Sequence, residues 1–489
     1  MAIVTKFGIG LFNARNDATA YSELYHTDIG SETPGVRLGF MIGTTTPGVN
    51  APNNHFSFGT TVTSTNGSID AAYGAFRNRD NLSAVDRDSA SNNGVDGPGW
   101  IEPAAQTIYQ TNPRSPVPGG WNVVPQGSNF VSSPLYIGAT MVGSYTGFSQ
   151  WMPLGSISSG TTAAVSMGFT PDVVFTFGMA DWQQLGFFVA DKVVANMGII
   201  DCRTLARQHG VNWAFWNITN KNPITRVDAG SGFFAQPTAS GQLTARWKMR
   251  VTSTDANGFH TQVWANDFSE SSSMYLITMG LKFEEAGAHF HTGVFSLGGV
   301  NGVNTLQTNS LIPQFLYAIG TLVRSLNWST ASHDEGAGTI SVGFATADNG
   351  ERFATFSEQS SLTVTNNITY ANSNNLLNMF GAGGIDRYQI RLPSFAANGV
   401  SFTETISPGL YGGAKIMYFA FGESTDAATH LQAEDGSSIF LHGQQFGDDL
   451  LLLIPPVAET GLPVKRDFPL DDDRDYPTRI NTIRDFPET

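Results

Sequence analysis

Three copies of an Arg-Asp-aromatic-Pro motif near the end of the chain are the residues whose types and spacing point most directly to a chemistry. Each copy joins a charge pair, an aromatic ring and a proline of fixed φ, the ingredients of a short docking motif. The copies begin eight and ten residues apart, so an extended chain would present all three rings on one side. We predict a strap that docks in a row of equivalent grooves; the alternative is drift in a polar tail. The motif residues are Arg466, Asp467, Phe468, Pro469, Arg474, Asp475, Tyr476, Pro477, Arg484, Asp485, Phe486 and Pro487.

A second group of candidates consists of the tryptophans Trp213, Trp216 and Trp328. An exposed aromatic face can stack on a sugar ring, so these residues could bind a glycan. The alternative is that they belong to the core, as most aromatic residues in strands do. Both interpretations stay open from the sequence.

A metal site is the third candidate chemistry, because His289 and His291 are alternate residues preceded by Glu284 and Glu285. Alternate residues of a strand share a face, which would bring both imidazoles to one ion. The favoured interpretation is a connector with surface histidines. We therefore expect no metal and no cofactor.

A basic stripe follows one alternating strand, where Arg246, Lys248 and Arg250 point away from the apolar positions, and Arg387 and Arg391 echo it further along. A solvated strand face is the favoured interpretation, and a contact with acidic residues of a neighbour is the alternative.

No phosphate loop, nucleophile elbow or zinc-protease helix occurs in the sequence, and paired carboxylates cannot be selected among the scattered Asp and Glu residues. We expect a protein that is not an enzyme.

The elements that would position these residues recur along the chain. The stretch 168–178, GFTPDVVFTFG, reads as a buried strand, and 311–320 repeats its proline, its apolar alternation and its closing glycine. Arg246 to Val251 reappears 141 positions later as Arg387 to Leu392, each followed by Ala-Asn-Gly. A weaker copy of the first stretch lies at 33–40. We expect three structural repeats, with the following pairs in equivalent core positions: Val173/Phe315, Phe175/Tyr317 and Phe177/Ile319.

The predicted fold is all-β, a tandem array of β-sandwich, jelly-roll-like domains followed by an extended tail. Residues 1–145 form repeat 1, 146–288 repeat 2, 289–428 repeat 3, and 429–489 the acidic tail. Each repeat is long enough to bury its own core. Two local expectations accompany this division: a short helix over 201–209 and a long surface loop over 77–100.

Composition excludes several classes of protein. The net charge of −15 argues against nucleic-acid binding, which requires clustered Lys and Arg. Charged residues are only 14% of the chain, so Asn, Ser, Thr and Gly must supply much of the surface. The single cysteine, Cys202, cannot form a disulfide within the chain. No signal peptide and no run of 18 apolar residues is present, so we expect synthesis in a cytoplasm and no membrane insertion.

The stretch Gly168 to Val174, followed by Asp255 to Phe259 and a Tyr-rich closing strand, resembles an uncharacterised β-sandwich domain of tailed-bacteriophage virion proteins. The resemblance covers repeat 2 well and repeat 3 more weakly, where Gln314 replaces Asp172. It implies a non-enzymatic virion structural protein of the tail fibre or baseplate region, with a capsid decoration or head-fibre protein as the alternative. A virion-associated polysaccharide depolymerase and a cellular lectin-like adhesin remain further alternatives. The expected partners are other virion proteins, copies of the same chain in a trimer, and a host-surface glycan.

Overall fold

The computed structural model describes the strands between Lys6 and Phe440 and part of the chain that joins them. The described connecting residues are 118–119, 160–161, 167–172, 202–207, 232–233, 256–257, 297, 301, 308, 347–348, 373–376 and 397–398. The remaining loops, residues 1–5 and residues 441–489 lie outside the description. Every regular element in the described part is a β-strand, which confirms the all-β prediction.

The strands fall into three successive sets, which we call repeats 1, 2 and 3. Repeat 1 contains β1 Lys6–Asn13, β2 Tyr21–Leu24, β3 Val36–Thr44, β4 Gly48–Val49, β5 Asn53–Thr63, β6 Ile69–Asn81, β7 Ala84–Gly94, β8 Gly99–Glu102, β9 Thr107–Val117, β10 Gly120–Gln126 and β11 Leu135–Gly143. Repeat 2 contains β12 Tyr145–Ile157, β13 Thr162–Ser166, β14 Val173–Ala180, β15 Lys192–Asp201, β16 Gln208–Trp216, β17 Ile224–Ala229, β18 Phe234–Pro237, β19 Ala245–Asp255, β20 Gly258–Trp264 and β21 Ser272–Phe283. Repeat 3 contains β22 Phe290–Ser296, β23 Gly302–Gln307, β24 Leu311–Leu322, β25 Ala337–Thr346, β26 Gly350–Ser360, β27 Thr365–Asn372, β28 Leu377–Phe380, β29 Asp386–Ala396, β30 Gly399–Ile406 and β31 Ala414–Ser424.

Each repeat pairs a large antiparallel sheet with a four-stranded sheet. In repeat 2 the large sheet has the order β12-β21-β14-β15-β16-β17 and the small sheet the order β13-β20-β19-β18. Repeat 3 has the same order in its own ten strands, β22-β31-β24-β25-β26-β27 and β23-β30-β29-β28. Repeat 1 follows it as well, once the extra strand β4 is set aside. The weak sequence copy at 33–40 therefore marks strand β3 of a third repeat with the same topology.

The large sheets are buried on both faces, which explains their continuous apolar runs. On β14, Phe175 and Phe177 point into a core that all three repeats share, whereas Val174 points into a smaller core under the four-stranded sheet of repeat 2. Strand β24 divides in the same way, with Tyr317 in the shared core and Leu316 in the smaller one. The predicted core pairs are confirmed, because these residues are all buried in the shared core: Val173, Phe175, Phe177, Phe315, Tyr317 and Ile319.

Aromatic side chains from the three repeats meet in this shared core. Phe40 of repeat 1 lies 5.2 Å from Phe175 of repeat 2 and 5.4 Å from Tyr317 of repeat 3, between ring centroids. Phe175 and Tyr317 close the triangle at 5.8 Å. Each of the three rings comes from the third strand of its large sheet, β3, β14 or β24 in the order given above. The three repeats are therefore arranged cyclically around one aromatic centre.

The contacts between repeats follow the same cycle. Strands β6 and β7 of repeat 1 pack on β12 of repeat 2, and β17 of repeat 2 packs on β24 and β25 of repeat 3. Strands β26 and β27 of repeat 3 pack on β3, β5 and β11 of repeat 1. The last strands of each large sheet thus contact the large sheet of the next repeat, and after three repeats the ring is closed. Residues 1–427 accordingly form one compact unit.

The hairpin turn predicted at Asn257-Gly258 is confirmed between β19 and β20, where the Asp255 carboxylate accepts hydrogen bonds from both backbone N–H groups. Two other local expectations are wrong. Residues 201–209 form no helix, because Asp201 N–H donates to the Arg207 carbonyl and closes a tight turn between β15 and β16. Most of 77–100 is strand rather than loop, because β6 is held between β5 and β7 by backbone pairing, which requires no apolar side chains.

The remaining part of the chain, 428–489, forms a separate unit by its contacts. Within it the structure describes one hairpin, β32 His430–Gln432 with β33 Ser438–Phe440. The predicted extended tail otherwise lies outside the described residues. The division of the chain into folding domains at 145, 288 and 428 stays a prediction; the strand sets of the three repeats run from Lys6 to Gly143, Tyr145 to Phe283 and Phe290 to Ser424.

Candidate functional site

The residues that the sequence singled out for docking and for sugar stacking lie mainly beyond the description. All twelve residues of the three tail motifs fall within 441–489, so the strap stays a prediction. Trp328 is likewise outside the described residues. Trp213 and Trp216 lie on β16, where Trp213 pairs with Thr225 of β17 and Trp216 with Lys192 of β15. Their backbone positions belong to the large sheet of repeat 2, and glycan stacking stays a prediction.

The basic stripe lies on equivalent strands of two small sheets. Arg250 of β19 is exposed and donates to the Gln262 side chain at 3.4 Å, and Arg391 of β29 is exposed and donates to the Thr405 hydroxyl at 3.3 Å. The alternating neighbour Met249 is buried in the core of repeat 2. This geometry matches the favoured interpretation, a polar strand face turned away from the core.

Of the two histidines of the candidate metal site, the structure describes only His291. His289 lies outside the described residues, as do Glu284 and Glu285. His291 Nδ1 lies 3.0 Å from the Tyr418 hydroxyl, and the two rings stack with centroids 5.7 Å apart. Among the residues that the structure describes, no group of three or more His, Cys, Asp and Glu side chains is placed to hold a metal ion.

A cluster of polar contacts lies where repeat 2 meets repeat 3. The Asp201 carboxylate is buried, and Arg203 contacts both of its oxygens, with Nε 3.1 Å from Oδ1 and Nη2 3.2 Å from Oδ2. The same guanidinium donates from Nη2 to the Phe290 carbonyl at 3.0 Å and lies 3.5 Å from the centre of the Phe290 ring. Asp201 and Arg203 belong to repeat 2 and Phe290 to repeat 3. We call these three residues the junction latch.

Three further groups, Arg207, His291 and Tyr418, lie near the latch. Arg207 is partly exposed, and its Nη1 lies 3.8 Å from Asp201 Oδ2. Burial and, to a smaller extent, the positive charges of Arg207 and Arg203 lower the pKa of His291 to about 4, against the opposing effect of Asp201. Burial raises the pKa of Tyr418, whose hydroxyl donates to the Gln307 carbonyl. At neutral pH the cluster therefore holds a neutral imidazole and a protonated phenol beside an ion pair.

Cys202 follows Asp201 directly and is buried in the core of repeat 2. Burial raises the pKa of its thiol strongly, and the nearby carboxylates of Asp201 and Asp172 raise it further. The thiolate is the nucleophilic form of cysteine, so this side chain is chemically inert in the folded protein.

One exposed pair has the residue types of a general base with its orienting carboxylate. His260 Nε2 lies 2.6 Å from Asp255 Oδ2 at the tip of the β19–β20 hairpin. The hydrogen bond from His260 lowers the pKa of Asp255, and the backbone N–H of Asn257 adds to the effect. Since the Asp255 carboxylate also accepts the two turn N–H groups, this pair stabilises the hairpin turn.

The small-sheet core of repeat 3 contains a buried carboxylate that repeat 2 lacks. Glu404 of β30 is 1% exposed, and the Asn304 side chain donates to its Oε2 at 2.6 Å. The equivalent positions, 141 residues earlier on β20 and β13, are Val263 and Ala163. Valine is the ordinary occupant of such a core position, and a carboxylate there costs desolvation.

The sequence did not predict the junction latch, because its members lie 87 positions apart and the first two fell in a segment expected to be helical. The Asp201–Arg203 ion pair lies within repeat 2 and orients the guanidinium, whose hydrogen bond to the Phe290 carbonyl and cation–π contact with the Phe290 ring join repeat 2 to repeat 3. No long apolar helix suited to crossing a membrane occurs in the described part of the chain. No protein-family model matches the sequence, and the comparison with curated proteins gives no match.

Proposed function

We propose that this protein is a non-enzymatic structural protein of a tailed-bacteriophage virion, in the tail fibre or baseplate region. The observation that carries the proposal is the closed ring of three repeats around a shared aromatic core. A single chain thereby builds the kind of cyclic body that separate subunits usually build in symmetric assemblies. The resemblance of residues 168–174 to virion domains and the Asn-, Ser-, Thr- and Gly-rich composition support the same function.

Burial of polar groups supports a mechanical role for the sites described above. The junction latch joins repeats 2 and 3, and the Thr60 and Ser149 hydroxyls join repeats 1 and 2 through a buried hydrogen bond of 2.6 Å.

We further propose that the protein contributes to host-surface binding, with a glycan as the ligand, and that copies of the chain associate as a trimer. Light scattering over a range of concentrations tests the trimer; a mass that stays that of one chain, with no virion partner found, would refute it.

Immunogold electron microscopy of virions tests the location. An antibody raised against the folded protein should label the tail tip or baseplate of the phage that encodes it. Label over the capsid surface would instead favour a decoration or head-fibre protein. Virions that carry no label, although the protein is present in the lysate, would overturn the virion assignment.

Incubation of the purified protein with host polysaccharide tests the absence of enzymatic activity. A structural protein releases no reducing ends, whereas a depolymerase releases them in proportion to protein and time. Such a release would establish the depolymerase alternative. Retention of the protein on immobilised polysaccharide without release would support host-surface binding.

A further inference from the structure

The three junctions of the ring differ in how the chain crosses them. β11 ends at Gly143 and β12 begins at Tyr145, so repeats 1 and 2 are joined by a single residue. β21 ends at Phe283 and β22 begins at Phe290, so repeats 2 and 3 are joined by a short connector. Repeat 3 meets repeat 1 without a direct covalent connection. Closure at this third junction depends on non-covalent contacts alone.

An additional strand is found at this third junction. β4, in the connector between β3 and β5 of repeat 1, pairs with β27, the last strand of the large sheet of repeat 3. Val49 lies opposite Ile368, and Gly48 lies opposite Thr369. The corresponding strands β7 and β17 carry no added strand from another repeat within the described residues. We call β4 the clasp.

The rest of the third junction has the form of the other two. The Phe7 ring of repeat 1 stacks on the Phe315 ring of repeat 3, with ring centroids 5.3 Å apart, and its centroid lies 5.4 Å from that of Phe421. Strand β1 packs on β25 and β26, and β27 packs on β3 and β5. Repeat 3 therefore presents to repeat 1 a surface of the kind that repeat 2 presents to repeat 3. Such a head-to-tail surface closes a ring when the rotation allows it and links separate molecules when the ring is open.

We propose that the junction of repeats 3 and 1 is an exchangeable interface, held shut within one chain by the clasp, whose alternative partner is a second copy of the same chain. When the clasp is released, repeat 3 of one copy packs on repeat 1 of another and the same contacts form between chains. Closure within one chain is favoured in dilute solution, because tethering gives the two repeats a high effective concentration. Crowding of many copies on one assembly favours the exchange. The proposal does not depend on the location of the protein in a virion.

Proline substitutions in the clasp test the proposal. Gly48→Pro with Val49→Pro removes both backbone N–H donors of β4 and lies outside β3 and β5. The matched control, Gly48→Ala with Val49→Ala, keeps both donors. After partial unfolding in mild denaturant and refolding at high concentration, the proline variant should contain several-fold more dimer and larger oligomers than the alanine variant, measured by light scattering.

A covalent lock provides the second arm. Val49→Cys with Ile368→Cys joins two directly opposed residues, whose separation in an antiparallel pair suits a disulfide. The oxidised variant should form no more oligomer than dilute wild-type protein after the same treatment, and reduction should restore exchange. Equal oligomer fractions in the proline and alanine variants, or exchange in the oxidised lock equal to that of wild type, would overturn the proposal. Either failure would leave the virion assignment untouched, since that is tested by labelling.

Discussion

The shared core and the small-sheet cores of the repeats are built from neighbouring residues of the same strands, yet they hold different parts of the molecule together. Phe175 of β14 packs against Phe40 and Tyr317 of other repeats, whereas Val174, the next residue, packs within repeat 2. The shared core combines aliphatic and aromatic side chains of all three repeats, whereas each of the two described small-sheet cores consists of side chains of one repeat. The comparison indicates that the shared core sets the cooperativity of the whole ring and that each small-sheet core sets only local stability.

Truncation of a phenylalanine in each core should distinguish them most clearly. Phe175→Ala removes a buried ring that contacts both other repeats, and we expect a loss of about 3–5 kcal/mol in the free energy of unfolding. Phe259→Ala removes an equally buried ring from the core of repeat 2. Hydrogen exchange should become faster in all three repeats for Phe175→Ala and mainly in repeat 2 for Phe259→Ala. Faster exchange confined to repeat 2 in both variants would contradict the distinction.

The junction latch extends the comparison to polar contacts between repeats. Arg203→Ala leaves the buried Asp201 carboxylate without its bidentate partner, so we expect a loss of about 2–3 kcal/mol in chemical denaturation. Arg207→Ala is the matched control, because its longer and more exposed contact with the same carboxylate should contribute at most about 1 kcal/mol. Equal losses for the two arginines would show that the bidentate contact has no special role.

Grafting the apolar pair of repeat 2 into repeat 3 tests the small-sheet cores. Glu404→Val with Asn304→Ala replaces a buried carboxylate and its amide partner by the residues found at Val263 and Ala163. We expect an increase of about 1–2 kcal/mol in the free energy of unfolding, since apolar replacements of buried polar pairs avoid the desolvation cost. A loss of stability would indicate that the Glu404–Asn304 pair stabilises repeat 3 more than the apolar pair of repeat 2 does at the same positions.

Protonation of His291 should have the smallest effect on the stability of the protein. Its pKa in the folded protein is about 4, below the value of about 6.5 for an unperturbed histidine. The unfolded chain therefore binds more protons between these values, and the contribution of His291 to stability is complete above pH 6.5 and falls as the pH approaches 4. In His291→Gln the decrease in melting temperature from pH 7 to pH 5 should be smaller than in wild type. An identical decrease in both proteins would place the titrating group elsewhere.

Part of this architecture could be predicted from the sequence, and the limit has a physical cause. Alternation at 173–177 shows that the residues of β14 point to two faces, and the repeat at 315–319 shows that the pattern recurs. The alternation does not show that the two faces are buried in two different cores, because the partners of Phe175 lie in the other repeats. The junction latch could not be predicted for a similar reason, because Arg203 donates a hydrogen bond to the carbonyl of Phe290, 87 positions away. The turn at Asn257-Gly258, by contrast, is specified by adjacent residues and could be predicted.

Calorimetry of the intact chain tests the central claim, that three repeats form one closed ring around a shared core, most directly. A closed ring should unfold, over residues 1–427, in one cooperative transition whose calorimetric and van't Hoff enthalpies agree. Phe175→Ala should lower the temperature of this whole transition. Several separable transitions, with a calorimetric enthalpy about three times the van't Hoff value and only one transition shifted by Phe175→Ala, would contradict it.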